Sequence, residues 1–341
     1  MSVKFLKGRA MKILITGTAG FIGFHLAKRL LDEGEVVCGV DNFNNYYSVA
    51  LKEARNTILE KYGAFQVRRV DLADKSSLKG VFDEFKPDVV VNLAAQAGVR
   101  YSIDHPEVYM ESNMVGFLNV LECCRHANPQ PKLLYASSSS VYGGIKVMPF
   151  SEDMCVDTPI SLYAASKKAN ELMAHCYSHL YGLQTLGFRF FTVYGPWGRP
   201  DMAAWLFADA IANEKSIKVF NYGNMYRDFT YIDDIVDGLV RCIRSTALPR
   251  YDVFNIGNHR SERLLDMIEI IAKAMGKNLD EIKMDMLPMQ AGDVPASYAS
   301  VEKLNKAVGY EPTTPISVGM PKFIAWYKDW TSGKFGNTIK E

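Results

Sequence analysis

The tightest constraint on this chain lies near its start. Lys12-Ile13-Leu14-Ile15-Thr16 is a short apolar run, and Gly17-x-x-Gly20-x-x-Gly23 follows it directly. A helical pattern continues from Phe21 to about Asp32. Glycine at such a junction lets the backbone turn sharply and lets an outside group come close. The N-terminus of the helix that follows favours negative charge. A strand that opens into a glycine-spaced turn and then a helix is one unit of a parallel α/β sheet, with an anion site at the strand's C-terminal end. The spacing differs from G-x-G-x-x-G, and the same glycines also suit a tight turn with close helix–strand packing.

The pattern repeats. Further strands are read at Glu35–Val40, Phe65–Val70, Asp88–Leu93, Leu133–Ala136 and Thr185–Phe191, with helices at Ser76–Phe85, Pro106–His126 and around Tyr163 to about Leu180. The fourth strand is almost wholly apolar, as burial on both faces requires. Alternating strands and helices predict a Rossmann-type doubly wound parallel α/β sheet over 11–191. After Thr192 the regularity weakens, and Gly195-Pro196-Trp197-Gly198-Arg199-Pro200 reads as a loop. Helices at 203–213, 233–245, 261–275 and 316–330, with strands at 217–220 and 252–255, predict a smaller C-terminal substrate-binding lobe over 192–330. Some of its strands are free to return to the main sheet.

A chain of 341 residues accommodates one large domain with such a lobe. Its net charge of +1 gives no basis for a nucleic-acid surface. No apolar run reaches the length of a membrane span, so no membrane partner is expected. Met1 to Ala10 carries basic residues but no apolar signal core, and reads as an extension or an upstream start. The six cysteines lack metal-ligand spacing and point to a reducing compartment, the cytoplasm. The six histidines are read as dispersed surface or structural residues, so no metal is expected.

The strand ends carry the chemistry. The fifth strand turns polar at once, as Ser137-Ser138-Ser139-Ser140-Val141-Tyr142-Gly143-Gly144. Hydroxyls are costly to bury without partners, so a serine run there suits a ligand wall or a capped turn. Tyr163 and Lys167 follow on a helix, and their spacing puts phenol and ammonium on one face. A lysine beside a tyrosine favours the phenolate, which suits proton transfer. Asp41 stands 24 residues after Gly17, at the end of the second strand. An acid there holds the adenosine ribose hydroxyls and repels a 2′-phosphate, favouring NAD over NADP. It also suits a turn cap, together with Asn42 and Asn45. Asp71-Leu72 would flank the adenine, and Ala94, Ala95 and Gln96 leave room at the fourth strand end.

With these residues in place, the chain resembles the extended short-chain dehydrogenases/reductases that act on nucleotide sugars, from Lys12 to about Trp330. The carrying residues are the three spaced glycines, the serines, Tyr163-x-x-x-Lys167 and Arg227-Asp228-Phe229-Thr230-Tyr231-Ile232-Asp233-Asp234. Within that family it is most similar to UDP-glucuronate 4-epimerases. The closer markers are Ala95-Gln96-Ala97-Gly98-Val99-Arg100-Tyr101-Ser102, the segment Thr192 to Ala203, and Met289-Gln290-Ala291-Gly292-Asp293-Val294. The resemblance implies a tightly held, recycled NAD at Gly17, Gly20, Phe21, Ile22, Gly23, Asp41, Asn42, Asp71, Leu72, Ala94, Ala95, Tyr163 and Lys167. Tyr163 would be the base on the sugar 4-hydroxyl, with Ser138 beside that hydroxyl. Lys167 would bind the nicotinamide ribose and lower the Tyr163 pKa. Ser139 and Ser140 would line the sugar. Arg227 matches the diphosphate arginine, Arg199 would face diphosphate or sugar acid, and Asp293 would hold the uridine ribose. Gln290 stands where galactose-type epimerases often carry Arg. Phe220 reads as a uracil neighbour or as core, and Arg100 as a surface residue or a site residue. Helices 106–126 and 161–181 would pair across a two-fold axis into a homodimer.

Oxidising C4 of a glucuronic acid gives a β-keto acid, which readily loses carbon dioxide. A 4-epimerase must therefore hold the carboxylate out of alignment with the ketone. Hydroxyls from Ser139, Ser140 and Thr192 orient charge without adding a strong acid. Related decarboxylases and 4,6-dehydratases carry an acid close to the position of Ser140, and this chain has none there. The competing readings are a 4-epimerase of UDP-glucose or UDP-N-acetylglucosamine, and a non-catalytic NAD-binding regulator.

Overall fold

The structure, a computed structural model, describes residues 9–290 and 293–335. Residues 1–8 of the extension read at Met1 to Ala10, and the marker residues Ala291 and Gly292, lie outside them. The chain begins β1 (Lys12–Thr16), α1 (Phe21–Asp32), β2 (Val36–Asp41), α2 (Val49–Leu59), β3 (Phe65–Arg69), α3 (Lys75–Phe85) and β4 (Val89–Asn92). Two helical turns, α4 (Tyr101–Asp104) and α5 (Pro106–Tyr109), lead through a π turn at Met110–Val115 into α6 (Gly116–His126). Next come β5 (Lys132–Ser138), a 3-10 turn at Ser139–Tyr142, α7 (Leu162–Tyr181), β6 (Thr185–Phe190), β7 (Thr192–Tyr194) and α8 (Ala203–Ala212). Then follow β8 (Ile217–Val219), β9 (Tyr226–Arg227), β10 (Phe229–Tyr231), α9 (Ile232–Arg244) and β11 (Tyr251–Ile256). The chain closes with β12 (Glu262–Arg263), α10 (Leu264–Met275), β13 (Met284–Met286), β14 (Ala296–Ser297), α11 (Glu302–Val308) and α12 (Ile316–Thr331).

Side-chain alternation along the strands builds two apolar layers, because successive residues point to opposite faces. Ile13 and Ile15 of β1 join one layer and Leu14 the other; Val89 and Val91 of β4 are separated from Val90 in the same way. The central sheet has seven strands in the order β11-β6-β5-β4-β1-β2-β3, all parallel. The order reverses beside β1, and ligands of such sheets bind at that switch point. The six strands read over residues 11–191 are all present. The seventh, β11, returns from beyond residue 192 and pairs with β6 from Tyr251↔Thr185 to Ile256↔Phe190. The smaller pairings join β7 to β10, β8 to β13, and β9 to both β12 and β14.

Three of the departures from the sequence reading concern helices. The helix expected over 106–126 contains the π turn. Helix α2, capped by Ser48 accepting from the Leu51 N–H at 3.3 Å, had no counterpart in it. The histidines are not all dispersed: His175 and His179 stand one turn apart on α7, with rings stacked at 6.5 Å. Among the described residues no group of three His, Cys, Asp or Glu could hold a metal. No helix there is long and apolar enough to cross a membrane.

A buried polar network locks α7 to the sheet. Arg189 on β6 forks onto Glu171 with two contacts of 2.9 Å, and the Ser137 hydroxyl donates to the same carboxylate at 2.6 Å. Arg189 also donates to the Tyr142 hydroxyl at 3.0 Å, which donates in turn to Asn255 at 2.7 Å. Ser137 and Tyr142 thereby add hydrogen bonds to an ion pair that burial alone would make costly.

Candidate active site

The C-terminal ends of the central strands open onto one cavity of about 470 Å³. Its walls include Gly17, Gly20, Phe21, Ile22, Gly23, Asp41, Asn42, Asp71, Leu72, Ala94 and Ala95 at the β1–β4 ends. Ser138, Ser139, Ser140, Tyr163 and Lys167 line it beside β5, with Thr192, Arg199, Arg227 and Asp293 contributed by the chain beyond β6. Arg100 and Phe220 are not among its walls. They meet each other instead, with the guanidinium 5.2 Å from the ring centre.

The glycine turn serves both packing and the cavity. Gly17 has φ +78, and a Cβ there would come 2.8 Å from the Ala94 nitrogen. A Cβ at Gly23 would come 2.1 Å from the Gly17 carbonyl oxygen, so any side chain would force turn and helix apart. Asp41 likewise has two tasks. Its carboxylate accepts from the Ala19 N–H at 3.1 Å and the Phe43 N–H at 2.9 Å while also facing the cavity. Burial pushes its pKa up, and these N–H groups with Lys52 and Arg55 oppose that. Asn42 donates to Asp71 at 2.7 Å and ties the β2 and β3 ends together. A dinucleotide fits this wall: the turn admits no Cβ, its helix points an N-terminus at the cavity, and an acid sits at the β2 end.

The serine run divides its work. Ser137 turns to Glu171 in the network beneath. Ser138 accepts from the Ser140 N–H at 3.2 Å and the Ser140 hydroxyl at 2.9 Å, so the capped turn is real. Ser138, Ser139 and Ser140 all remain on the cavity wall. Tyr163 begins α7, where Ser161 caps the helix by accepting from the Ala164 N–H at 3.1 Å. Burial raises the Tyr163 pKa, against the pull of the Ser138 hydroxyl and the Arg199 guanidinium. The lowering expected from Lys167 is not realised here. The Lys167 ammonium turns to the Ala136 carbonyl at 3.0 Å and lies 6.0 Å from the Tyr163 ring centre. Burial pushes Lys167 down to about 8.

Two arginines from the chain beyond β6 are each held by an acid. Arg199 binds Asp201 through Nε at 3.0 Å and Nη2 at 2.5 Å. Arg227 Nη2 donates to Asp293 and to the Val294 carbonyl, both at 2.6 Å. Burial lowers the Arg227 pKa and Asp293 opposes it. The expected diphosphate and ribose contacts are thus neighbours. Thr192 is placed by β7, paired in register with Phe229 of β10.

Sequence reasoning missed Tyr46 and Lys52, which also line the cavity. Lys52 is buried and donates to the Asn44 carbonyl at 2.7 Å and side chain at 2.8 Å. It missed Asn113 as well, on the π turn, whose Oδ1 accepts from the Gln96 N–H at 2.8 Å and whose Nδ2 donates to the Ser166 hydroxyl at 3.0 Å. For Lys52 the available signal was the Ser48 cap followed by a helical spacing, which marks the helix but not the burial of its lysine.

Known proteins share this arrangement. Residues 13–257 match the NAD dependent epimerase/dehydratase family. The protein CapI of Staphylococcus aureus is 52% identical over 336 residues, covering 94% of this chain and 99% of its own. A probable UDP-glucuronate 4-epimerase of Rhizobium meliloti is 44% identical, covering 93% of this chain and 97% of its own. The crystal structure of UDP-glucuronic acid 4-epimerase from Bacillus cereus, in complex with UDP-glucuronic acid and NAD, superposes with a TM-score of 0.88 at 33% identity, covering 94% of this chain and 100% of that one. The glycine turn, the seven parallel strands and these matches make this chain a member of the NAD dependent epimerase/dehydratase family.

Proposed function

We propose that this protein interconverts UDP-glucuronate and UDP-galacturonate through a 4-keto sugar, with NAD as a recycled hydride carrier. One observation carries the substrate assignment. The wall beside Tyr163 is built from hydroxyls, and the carboxylates lining the cavity are Asp41, Asp71 and Asp293, on β2, after β3 and beside Arg227. Among the described residues no other carboxylate lines the cavity, and position 140 itself carries a hydroxyl rather than an acid that would promote loss of carbon dioxide or water. The Rhizobium meliloti and Bacillus cereus proteins carry the same activity in their names, which supports the reading.

In this reading residues 192–330 mainly bind the UDP-sugar. Arg227 and Arg199 hold its anionic groups, since a guanidinium fork matches phosphate and carboxylate oxygens. Asp293 holds the uridine ribose. Ser139, Ser140 and Thr192 fix the sugar carboxylate out of line with C4. Tyr163, in the phenolate form that burial opposes and that the Ser138 hydroxyl and the Arg199 guanidinium favour, takes the 4-hydroxyl proton, and Ser138 hydrogen-bonds the same oxygen. Lys167 orients the nicotinamide ribose. Bound NAD supplies an acceptor for the C4 hydride and returns it to the opposite face once the keto sugar has turned. Tyr163 then gives its proton back to O4.

The protein works as a cytoplasmic homodimer in this proposal. Free thiols support a reducing compartment. Met110, Val115, Leu118, Leu172 and Leu180 leave apolar surface exposed along the 106–126 and α7 helices, as a two-fold helix pairing needs.

Purified protein incubated with UDP-glucuronate should form UDP-galacturonate, read by nuclear magnetic resonance of the sugar protons. Tyr163→Phe should lower kcat on the order of a thousandfold with unchanged NAD content. No conversion by protein verified to hold NAD would overturn the reading, as would conversion of UDP-glucose alone. A UDP-pentose as main product would refute the hydroxyl clamp.

A further inference from the structure

The loop that carries Arg199 is held from behind by a residue outside the cavity. Arg55 lies on α2 with 0% of its surface exposed. Its Nη1 donates to the Ala19 carbonyl at 2.7 Å and the Tyr47 hydroxyl at 2.8 Å. Its Nη2 donates to the Trp197 carbonyl at 2.6 Å and the Gly198 carbonyl at 3.2 Å. One planar fork therefore joins the glycine turn, the segment after β2 and the 195–201 loop. Its Nε has no partner among the described residues. A buried cation with an unmatched donor is a poor choice for stability alone, since an apolar side chain of similar size avoids that cost.

What Arg55 grips is strained. Trp197 has φ +61, a left-handed backbone that bulky residues rarely adopt. Such a conformation persists only where its surroundings fix it. The Trp197 carbonyl takes the shortest Arg55 bond, and its ring packs on Phe24, Trp326 and Trp330 at 5.5, 5.3 and 5.6 Å. His25 on α1 donates to the Pro196 carbonyl at 2.8 Å. Two residues past Trp197, Arg199 leaves this turn for the cavity. Its partner Asp201 also accepts from the Tyr46 hydroxyl at 3.2 Å, from the segment Arg55 braces through Tyr47.

We propose that Arg55 is a positioning residue for Arg199, and that it ties the placement of that arginine to the cofactor-side glycine turn. The role given to Arg199 rests on the proposed function; the mechanical tie does not. A guanidinium fork loses its value when displaced by a fraction of an ångström, so loosening the turn weakens anion binding without altering any cavity residue.

Two measurements test this. Amide hydrogen exchange on the full-length protein needs no substrate. Arg55→Met should speed exchange at least tenfold in residues 195–201 and in 17–20, with the central strands unchanged. Unchanged protection of 195–201 would overturn the tie. Titration calorimetry with UDP-glucuronate should show Arg55→Met binding about tenfold more weakly than the natural protein. In an Arg199→Met background the same change should cost less than twofold, because it acts through Arg199. Full additivity of the two substitutions would overturn the positioning role. Where Arg55→Met does not accumulate folded, Arg55→Lys, which keeps the cation but not the fork, carries both measurements with the same outcomes. Failure of the natural protein to convert UDP-glucuronate would sink the proposed function, while the exchange result would still decide the tie.

Discussion

Lys167 and Tyr163 sit together in a wall that penalises their charged forms, and the penalty has measurable consequences. Burial holds the Lys167 ammonium at a pKa of about 8, against an ordinary 10.5. Below about 8 the lysine is charged in both folded and unfolded chains, and the folded state bears the full burial cost. Between about 8 and 10.5 the folded protein releases its proton first, so the unfolded chain binds more protons and stability rises with pH. Lys167→Met should therefore raise the unfolding free energy of the cofactor-free protein by about 1–3 kcal/mol at pH 7, while abolishing turnover. The gain should shrink above pH 8, as urea unfolding at pH 7 and pH 9.5 will show. A variant less stable at pH 7 would mean that the hydrogen bond to Ala136 outweighs the burial of charge. At this scale much was legible in the sequence. Asp41, Tyr163 and Lys167 were found because their chemistry coincides with strand ends or a helix face. Arg55 and Lys52 were not, because a buried cation leaves no mark that separates it from a solvated one until its partners are known.

At the scale of elements, the reading tracked apolar periodicity and failed where burial is polar. Five of the helices after residue 160 and the six N-terminal strands were visible as apolar repeats. Helix α2 was not, for its buried face is Leu51, Lys52, Arg55, Asn56 and Leu59, three of them polar. The two-residue strands β9, β12 and β14 were equally hidden, since their pairing is settled by tertiary context rather than by local pattern. The π turn is a local shift in helix bonding that residue spacing does not disclose. Helix α7 shows how an element is fixed once formed. Glu171 lies one turn beyond Lys167, and its pairing with Arg189 sets the rotation of the helix that presents Tyr163. Glu171→Leu should cost about 3–5 kcal/mol in stability by stranding the guanidinium. The double change Glu171→Leu with Arg189→Met should cost less than the single one, a comparison thermal unfolding can make. An equal or larger loss would mean that the network, not the stranded charge, dominates.

For the whole molecule, the exposed leucines of α7 predict assembly. Sedimentation should give twice the 38.3 kDa chain mass for the natural protein, and a monomer for Leu172→Glu with Leu180→Glu. A natural protein that sediments as one chain would remove the dimer from the proposal. Strand β11 has a different consequence, one of manufacture. The edge of the central sheet beside β6 is completed by residues 251–256, some sixty residues further along the chain. Until a ribosome has released that stretch, β6 presents an apolar edge with open N–H and C=O groups, which other strands can pair with. The nascent chain is thus most prone to misassociation late in synthesis. For the same reason a cut near residue 191 yields no self-sufficient half: the central sheet needs a strand that only the later part of the chain can deliver.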